Sequence, residues 1–124
     1  MVYFVQGEIT RLIKIGCTDR NDIKQRFSAM QTGSPDKLII LKTIRGSYDL
    51  ESALHRKFSH LRAFNEWFRP EKELLDFLKL SEDSKELTEL REKVELLRLK
   101  QFDRSIRWRE NEPKDKGGTQ IWLS

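Results

Sequence analysis

Two β-rich runs open the chain with only three residues between them, and this spacing limits the fold more than any other feature. The runs are residues 2–5 (VYFV) and 9–16 (ITRLIKIG), and Gly7 with Glu8 supplies the turn. Strands joined by so short a connection pair antiparallel, because a parallel pair needs a crossover of a dozen or more residues. The sequence therefore predicts an antiparallel hairpin at the start of the fold.

The next segments predict a helix and a third strand. Ile23, Phe27 and Met30 recur at helical spacing, after candidate capping residues at 19–22. Residues 37–44 (KLIILKTI) form a nearly continuous apolar run, which is typical of a central strand covered on both faces. The third strand is therefore expected in the middle of the sheet.

A long helix is predicted over residues 49–68, with a short helix beginning at Pro70. The apolar stripe of the long helix consists of Leu50, Leu54, Phe58 and Leu61. Together these elements predict an α+β fold, in which a small three-stranded antiparallel sheet is flanked by helices in the order ββαβα. A charged amphipathic C-terminal helix follows.

The chain divides into three predicted parts. Residues 1–80 form the compact domain, residues 81–110 an amphipathic helical extension, and residues 111–124 a polar hinge with a short apolar tag. The apolar spacing of the extension lasts about two heptads, which is short for a coiled coil. We expect this helix to pack on its own domain, or to bind a second copy or another protein through residues 84–108.

Composition favours a cytoplasmic protein with a polyanionic partner. Residues 1–80 hold 14 Lys and Arg against 10 Asp and Glu, whereas residues 81–124 hold 10 of each, so the net charge of +4 belongs to the first part. The single cysteine, Cys17, excludes an internal disulfide and favours a reducing compartment. Neither a membrane-spanning run nor a signal-peptide pattern is present in the sequence.

One face of the long predicted helix carries residues suited to phosphodiester chemistry. Glu51 and His55 are four residues apart, and Arg62 follows seven residues later. A carboxylate, an imidazole and a guanidinium on one side of a helix are the parts that a metal-assisted site uses. They are also typical of an ordinary solvated helix face, so the surrounding sequence must decide between the two interpretations.

Five short motifs stand in order in the same frame. They are VYFV at 2–5, IKIGCT at 13–18, QRF at 25–27, LE with His55 and Phe58 at 50–58, and NEWF at 65–68. In this order the sequence resembles the GIY-YIG nuclease superfamily, and in particular its compact phage and bacterial branch with K-I-G and E-W-F motifs. The resemblance covers about residues 2–78.

The resemblance implies a DNA endonuclease that uses one Mg²⁺ or Mn²⁺ ion. Glu51 falls on the metal ligand of the family, and Arg26 falls on the arginine that binds the phosphate. Tyr3 falls on the tyrosine that orients or deprotonates the attacking water. Lys14 replaces the tyrosine of the second motif, so it is a further catalytic candidate. It could lower the pKa of Tyr3, act as the base itself or contact the phosphate.

Several roles stay open at this level. His55 is a third candidate for the general base, because it lies one turn from Glu51. Lys24, Arg56 and Arg62 join Arg26 as candidate contacts to the nucleic-acid backbone, and RNA remains open as a substrate. The base candidate is therefore His55, and the candidate contacts to the nucleic-acid backbone are Lys24, Arg26, Arg56 and Arg62.

Structural roles compete with these functional ones. Trp67 and Phe68 are expected in the core rather than stacked on bases. A thiol nucleophile built from Cys17 and His55 is disfavoured, because nothing in the sequence orients the pair. The alternative function is a nucleic-acid-binding or protein-interaction module that keeps this fold with little or no catalytic activity.

Overall fold

The computed structural model describes residues 1–110, and the side chains of residues 1–101. Residues 1–94 form one compact unit. The strands are β1 (Val2–Gly7), β2 (Ile13–Cys17), β3 (Leu38–Ile44), β4 (Arg62–Phe64) and β5 (Trp67–Phe68). The helices are α1 (Ile23–Thr32), α2 (Tyr48–Lys57), α3 (Lys72–Leu78) and α4 (Lys85–Glu110). None of the helices within residues 1–110 is long and apolar enough to cross a bilayer.

All strand pairs of the sheet are antiparallel, in the order β3-β1-β2-β5-β4. The α+β class, with helices around an antiparallel sheet and a helix at the C-terminal end, is confirmed. The count of three strands is too low, since β4 and β5 extend the sheet to five. These strands are three and two residues long, too short to show the alternation from which strands are predicted.

The predicted helix over residues 49–68 is wrong in its second half. Helix α2 ends at Lys57, a 3-10 turn spans Ser59–Leu61, and the chain then forms the β4–β5 hairpin. Asn65 adopts a φ of 48° in the turn of this hairpin, a left-handed conformation that Asn tolerates well. The apolar stripe nevertheless holds, because all four of its members are buried: Leu50, Leu54, Phe58 and Leu61.

The third strand lies at an edge of the sheet and not at its centre. β3 pairs with β1 alone among the described strands, and its residues Ile39, Ile40 and Leu41 are about two-fifths exposed. The neighbouring strand β1 lies inside the sheet, between β3 and β2, and every one of its residues is buried. An unbroken apolar run therefore does not distinguish a central strand from an edge strand in this fold.

The sheet carries an apolar cluster on each face. Because successive β1 side chains alternate between the faces, Val2 and Phe4 join the larger cluster with α2 and α3, whereas Tyr3 and Val5 lie in the smaller one. The stripe predicted for α1 packs against this smaller cluster through Ile23, Phe27 and Met30.

Helix α4 contributes its first turns to the compact unit. Leu87 is buried in the larger cluster, and Leu90 and Val94 pack against it. The expected packing of this helix on its own domain is therefore found for its first turns, while a partner for residues 84–108 stays a prediction. The predicted division at residue 81 is untested, and the hinge and apolar tag at 111–124 lie outside the described residues.

The loop between β1 and β2 is longer than predicted and is held by one carboxylate. The second strand begins at Ile13 and not at Ile9, which is exposed in the loop. Asp36 accepts hydrogen bonds from the Ile9 amide at 2.9 Å and from the amide and hydroxyl of Thr10, each at 3.1 Å. Burial works to raise the pKa of Asp36, but these hydrogen bonds outweigh it, and the pKa lies below its usual value.

We expect Asp36→Asn to lower the free energy of unfolding, because an amide nitrogen cannot accept the Thr10 hydrogen bonds. The folded-state pKa of Asp36 lies below the unfolded value, so its stabilisation is present above the unfolded pKa and is lost as the pH falls through the folded pKa. Urea unfolding at neutral and acidic pH measures both effects. Asp83→Asn, at an exposed carboxylate, is the control, and equal losses in the two variants would contradict the role of Asp36.

Candidate functional site

The candidate site begins where β2 runs past the end of β5. The two strands pair only at Ile13 and Lys14. The next residue, Ile15, still donates its amide to the Glu66 carbonyl at 3.1 Å, but its own carbonyl accepts from His55 Nε2 at 2.9 Å. A side chain of α2 thus takes the place of a neighbouring strand. This hydrogen bond brings one face of α2 to the edge of the sheet.

Glu51 lies on that face of α2, one turn before His55. Its Oε1 is 3.6 Å from His55 Nε2, and its side chain is only 12% exposed. Its Oε2 is buried and has no hydrogen-bond partner among the described residues. Burial raises the pKa of Glu51; His55 and Lys14 oppose this rise, whereas Glu66 adds to it. An unsatisfied buried carboxylate of this kind is costly, and such groups cluster at functional sites.

The Tyr3 side chain crosses the sheet over Gly16, its partner across the β1–β2 ladder. A Cβ on Gly16 would stand 2.4 Å from both Cζ and Oη of Tyr3, so the close approach requires glycine. Burial raises the pKa of Tyr3; Arg26 opposes this rise, while Glu66 and Glu51 add to it. Charges from α1, α2 and the β4–β5 turn therefore all act on the Tyr3 hydroxyl.

Lys14 and Glu66 form an ion pair on the Tyr3 side of the sheet. Their closest atoms, Nζ and Oε2, are 3.6 Å apart, and the Lys14 side chain is mostly covered. Glu66, which was not among the predicted site residues, acts on both Tyr3 and Glu51. Its position in the E-W-F motif was the available signal. Asn65, just before Glu66, has a left-handed backbone conformation, so its place in this motif has a structural reason.

His55 is held by both of its ring nitrogens. Because a carbonyl oxygen only accepts, Nε2 must donate to Ile15, which leaves Nδ1 to accept from Arg62 Nη2 at 3.5 Å. The Arg62 guanidinium also lies over the Phe68 ring, 5.5 Å from its centroid. Arg62 thus reaches His55 from β4 and not from the α2 face on which it was predicted. This geometry suits His55 to orient Glu51.

Arg26 lies on the exposed side of α1. It lines a shallow cavity of about 330 Å³ together with Thr18, Asp22 and Gln25. Within the described part of the chain it makes no ion pair of 4.0 Å or less, so its guanidinium is free to bind an anion. The charge of Arg26 acts to lower the pKa of Tyr3, so it is felt at the Tyr3 hydroxyl.

A family model described as the T5orf172 domain matches residues 1–95, about three quarters of the chain. The chain belongs to the T5orf172 domain family. Membership is consistent with a nuclease-like or DNA-interacting domain. The match covers every element of the candidate site, from β1 to the first turns of α4. No curated protein and no solved structure matches the chain significantly.

The remaining predicted backbone contacts, Lys24 and Arg56, make no described contact with the Glu51 carboxylate. Both are exposed, on α1 and α2 respectively. Phe68 is fully buried, as predicted for a core residue. Burial raises the pKa of the Cys17 thiol, and both nitrogens of His55 are engaged elsewhere, so a thiol–imidazole pair is not formed.

The donor set suits a metal ion bound through one carboxylate. Among residues 1–110 there is no group of three or more His, Cys, Asp or Glu side chains that could hold a metal ion. Among the side chains of residues 1–101, Glu51 alone offers an unpartnered buried oxygen. Mg²⁺ keeps several of its waters and is often bound by one or two carboxylates together with substrate phosphates, so this arrangement fits it.

We expect Gly16→Ala to destabilise the T5orf172 domain by about 1–3 kcal/mol, because the new methyl group overlaps the Tyr3 ring. Combining it with Tyr3→Ala should cost less than the sum of the two single changes, since the overlap is gone. Urea unfolding of the four proteins measures this coupling. Gly33→Ala is the matched control, because its Cβ would meet no atom closer than 3.8 Å. Additive losses at Tyr3 and Gly16 would contradict the contact.

We expect Glu51→Gln to raise the Tm of the metal-free domain at neutral pH, because it removes a charge that burial disfavours. The folded-state pKa of Glu51 lies above the unfolded value, so wild type loses stability as the pH rises through the folded pKa. The Tm difference should therefore grow from acidic to neutral pH. Scanning calorimetry across this range tests it, and a lower Tm for Glu51→Gln at neutral pH would contradict the assignment.

Proposed function

We propose that this T5orf172 domain is a metal-dependent endonuclease-type domain of the GIY-YIG class that hydrolyses DNA phosphodiester bonds. The observation that carries the proposal is the Glu51 carboxylate, buried at the sheet edge with an unpartnered oxygen. Tyr3, Lys14, Arg26 and Glu51 follow the order of the superfamily motifs along the sequence, and the charges of Arg26 and Glu51 both act on Tyr3, which supports the proposal. The single cysteine favours action in the cytoplasm.

Glu51 would hold one Mg²⁺ or Mn²⁺ ion through its free oxygen. When bound, the ion supplies charge neutralisation at the phosphate and makes a water more acidic. His55 positions the carboxylate, because its own hydrogen bond to Ile15 fixes the ring beside Oε1. The protein's part at this point is to keep one carboxylate oriented and poorly solvated.

Tyr3 would orient the attacking water with a protonated hydroxyl. Burial raises the pKa of Tyr3 further above neutrality, which suits the hydroxyl to orient the water as a donor rather than to act as a tyrosinate base. The Gly16 surface beneath the ring fixes the direction of the hydroxyl. Lys14, paired with Glu66 at 3.6 Å, would bring an ammonium to the same face and contact the phosphate when that pair opens.

Arg26 would bind the scissile phosphate, because a guanidinium stays charged and donates in pairs to phosphate oxygens. Lys24, Arg56 and Arg62 would contact the flanking backbone, where cations add affinity without sequence preference. All four carry exposed side chains.

The second candidate function is a nucleic-acid-binding module without turnover. One observation favours it: Lys14 is paired with Glu66 at 3.6 Å, so its charge is partly balanced within the domain. In this case the cations of the domain would bind the backbone while Glu51 had no part in the interaction. The two functions differ in whether phosphodiester bonds are broken.

Plasmid nicking with Mg²⁺ or Mn²⁺ separates the two functions. We expect wild type to nick the plasmid, and both Glu51→Gln and Arg26→Ala to lower the rate at least about 100-fold, since each removes a group that stabilises the transition state. Asp49→Asn, an exposed carboxylate on the same helix, is the control and should retain the wild-type rate.

A binding readout accompanies the rate. Mg²⁺ should raise the Tm of wild type, and it should have little effect on Glu51→Gln, because a ligand stabilises only the protein that binds it. Salt-sensitive DNA binding without cleavage by folded wild type, and with no Mg²⁺ effect on Tm, would reject the nuclease and favour the binding module.

A further inference from the structure

A cavity of about 470 Å³ opens beside Lys14, on the face of the sheet that carries Tyr3. Its walls are mostly apolar and include Met30, Leu38, Phe64 and Trp67. This volume falls within the range of sites for small organic groups. The roles proposed for the motif residues do not account for this cavity.

Two aromatic side chains line this cavity, and only one of them packs against an apolar cluster of the core. Phe64 is 54% exposed on β4, the outermost strand on this side, and belongs to neither apolar cluster. Trp67 is half-buried, with part of its ring packed against the Tyr3 cluster. An exposed phenyl ring at a cavity that also holds an indole is suited to stack on a planar ring.

The charges of the lining select a neutral group with an anion beside it. Asp36 contributes a carboxylate to the wall, which disfavours a phosphate inside the cavity. Lys14 is the one cation among the lining residues, and it also borders the candidate catalytic site. A ligand that fits both the apolar wall and this cation therefore places a neutral planar ring in the cavity and its negative charge toward Lys14.

We propose that this cavity receives an unpaired nucleobase of the DNA, so that the domain prefers substrates with an unstacked nucleotide next to the bound phosphate. The inference rests on the proposed function, because it takes the phosphate position from that site. A paired base would first have to leave its stack, at a cost that is least for mismatched or single-stranded positions. Aromatic stacking then favours the unpaired base inside the cavity.

The test measures binding rather than cleavage. Glu51→Gln protein is titrated into a fluorescent duplex with one unpaired nucleotide, and into the same duplex in which that nucleotide is abasic. The two probes carry the same backbone charge, so at one salt concentration they differ only in the base. We expect about tenfold tighter binding to the probe with the base.

Phe64→Ala and Phe64→Leu, made in the same background, should remove most of this difference, whereas Phe64→Tyr should keep it because the ring is retained. Tyr48→Ala is the matched control, since Tyr48 is a 68% exposed aromatic that does not line the cavity. Equal affinity for the two probes would overturn the proposal. A base preference that survives Phe64→Ala would overturn it as well.

Failure of the nuclease proposal would look different. If wild type cleaves no DNA but the base-dependent binding is present and depends on Phe64, the cavity assignment stands and the domain is a reader of unpaired nucleotides. If wild type nicks plasmid in a Glu51-dependent way but ignores the base, the nuclease stands and the cavity assignment falls.

Discussion

The open end of β2 is the constraint from which the candidate site follows. A buried backbone carbonyl must find a donor, and β5 is too short to offer one beyond Lys14. The His55 imidazole supplies it for Ile15. One turn of helix then places the Glu51 carboxylate beside the same edge, where no strand excludes a ligand. A short strand therefore makes room for chemistry at an edge that a longer strand would have closed.

The same arrangement sets stability against function. Glu51 is buried with an unsatisfied oxygen, and Tyr3 fits only because Gly16 has no side chain. Tyr3 packs in the smaller apolar cluster, but the unpartnered Glu51 oxygen adds no such contact, and we expect it to weaken the fold. Sites that hold a destabilised group are expected where function needs it, with the surrounding core supplying the stability. Here that support comes from β1, which is buried throughout.

Local patterns predicted much of this fold, and pairing between distant segments accounts for the errors. The opening hairpin, the stripe of α1 and the apolar stripe beginning at Leu50 rest on neighbouring residues, and they were found as expected. The β4–β5 hairpin and the edge position of β3 depend on which strands meet, which periodicity does not encode. The pairing of Glu66 with Lys14 could not be predicted for the same reason, because the two residues are 52 positions apart. The roles of Tyr3, Lys14, Arg26 and Glu51 remain predictions.

The apolar edge formed by β3 has a consequence for how copies of the domain meet. Unpaired strand edges can template association between molecules, and natural proteins often guard them with lysine. Lys42 interrupts the run after Ile39, Ile40 and Leu41, and its ammonium donates to the Leu80 carbonyl. The segment after α3 is thereby drawn toward one end of β3. Lys42 and the chain segment that it holds therefore stand where a second copy would have to pair with β3.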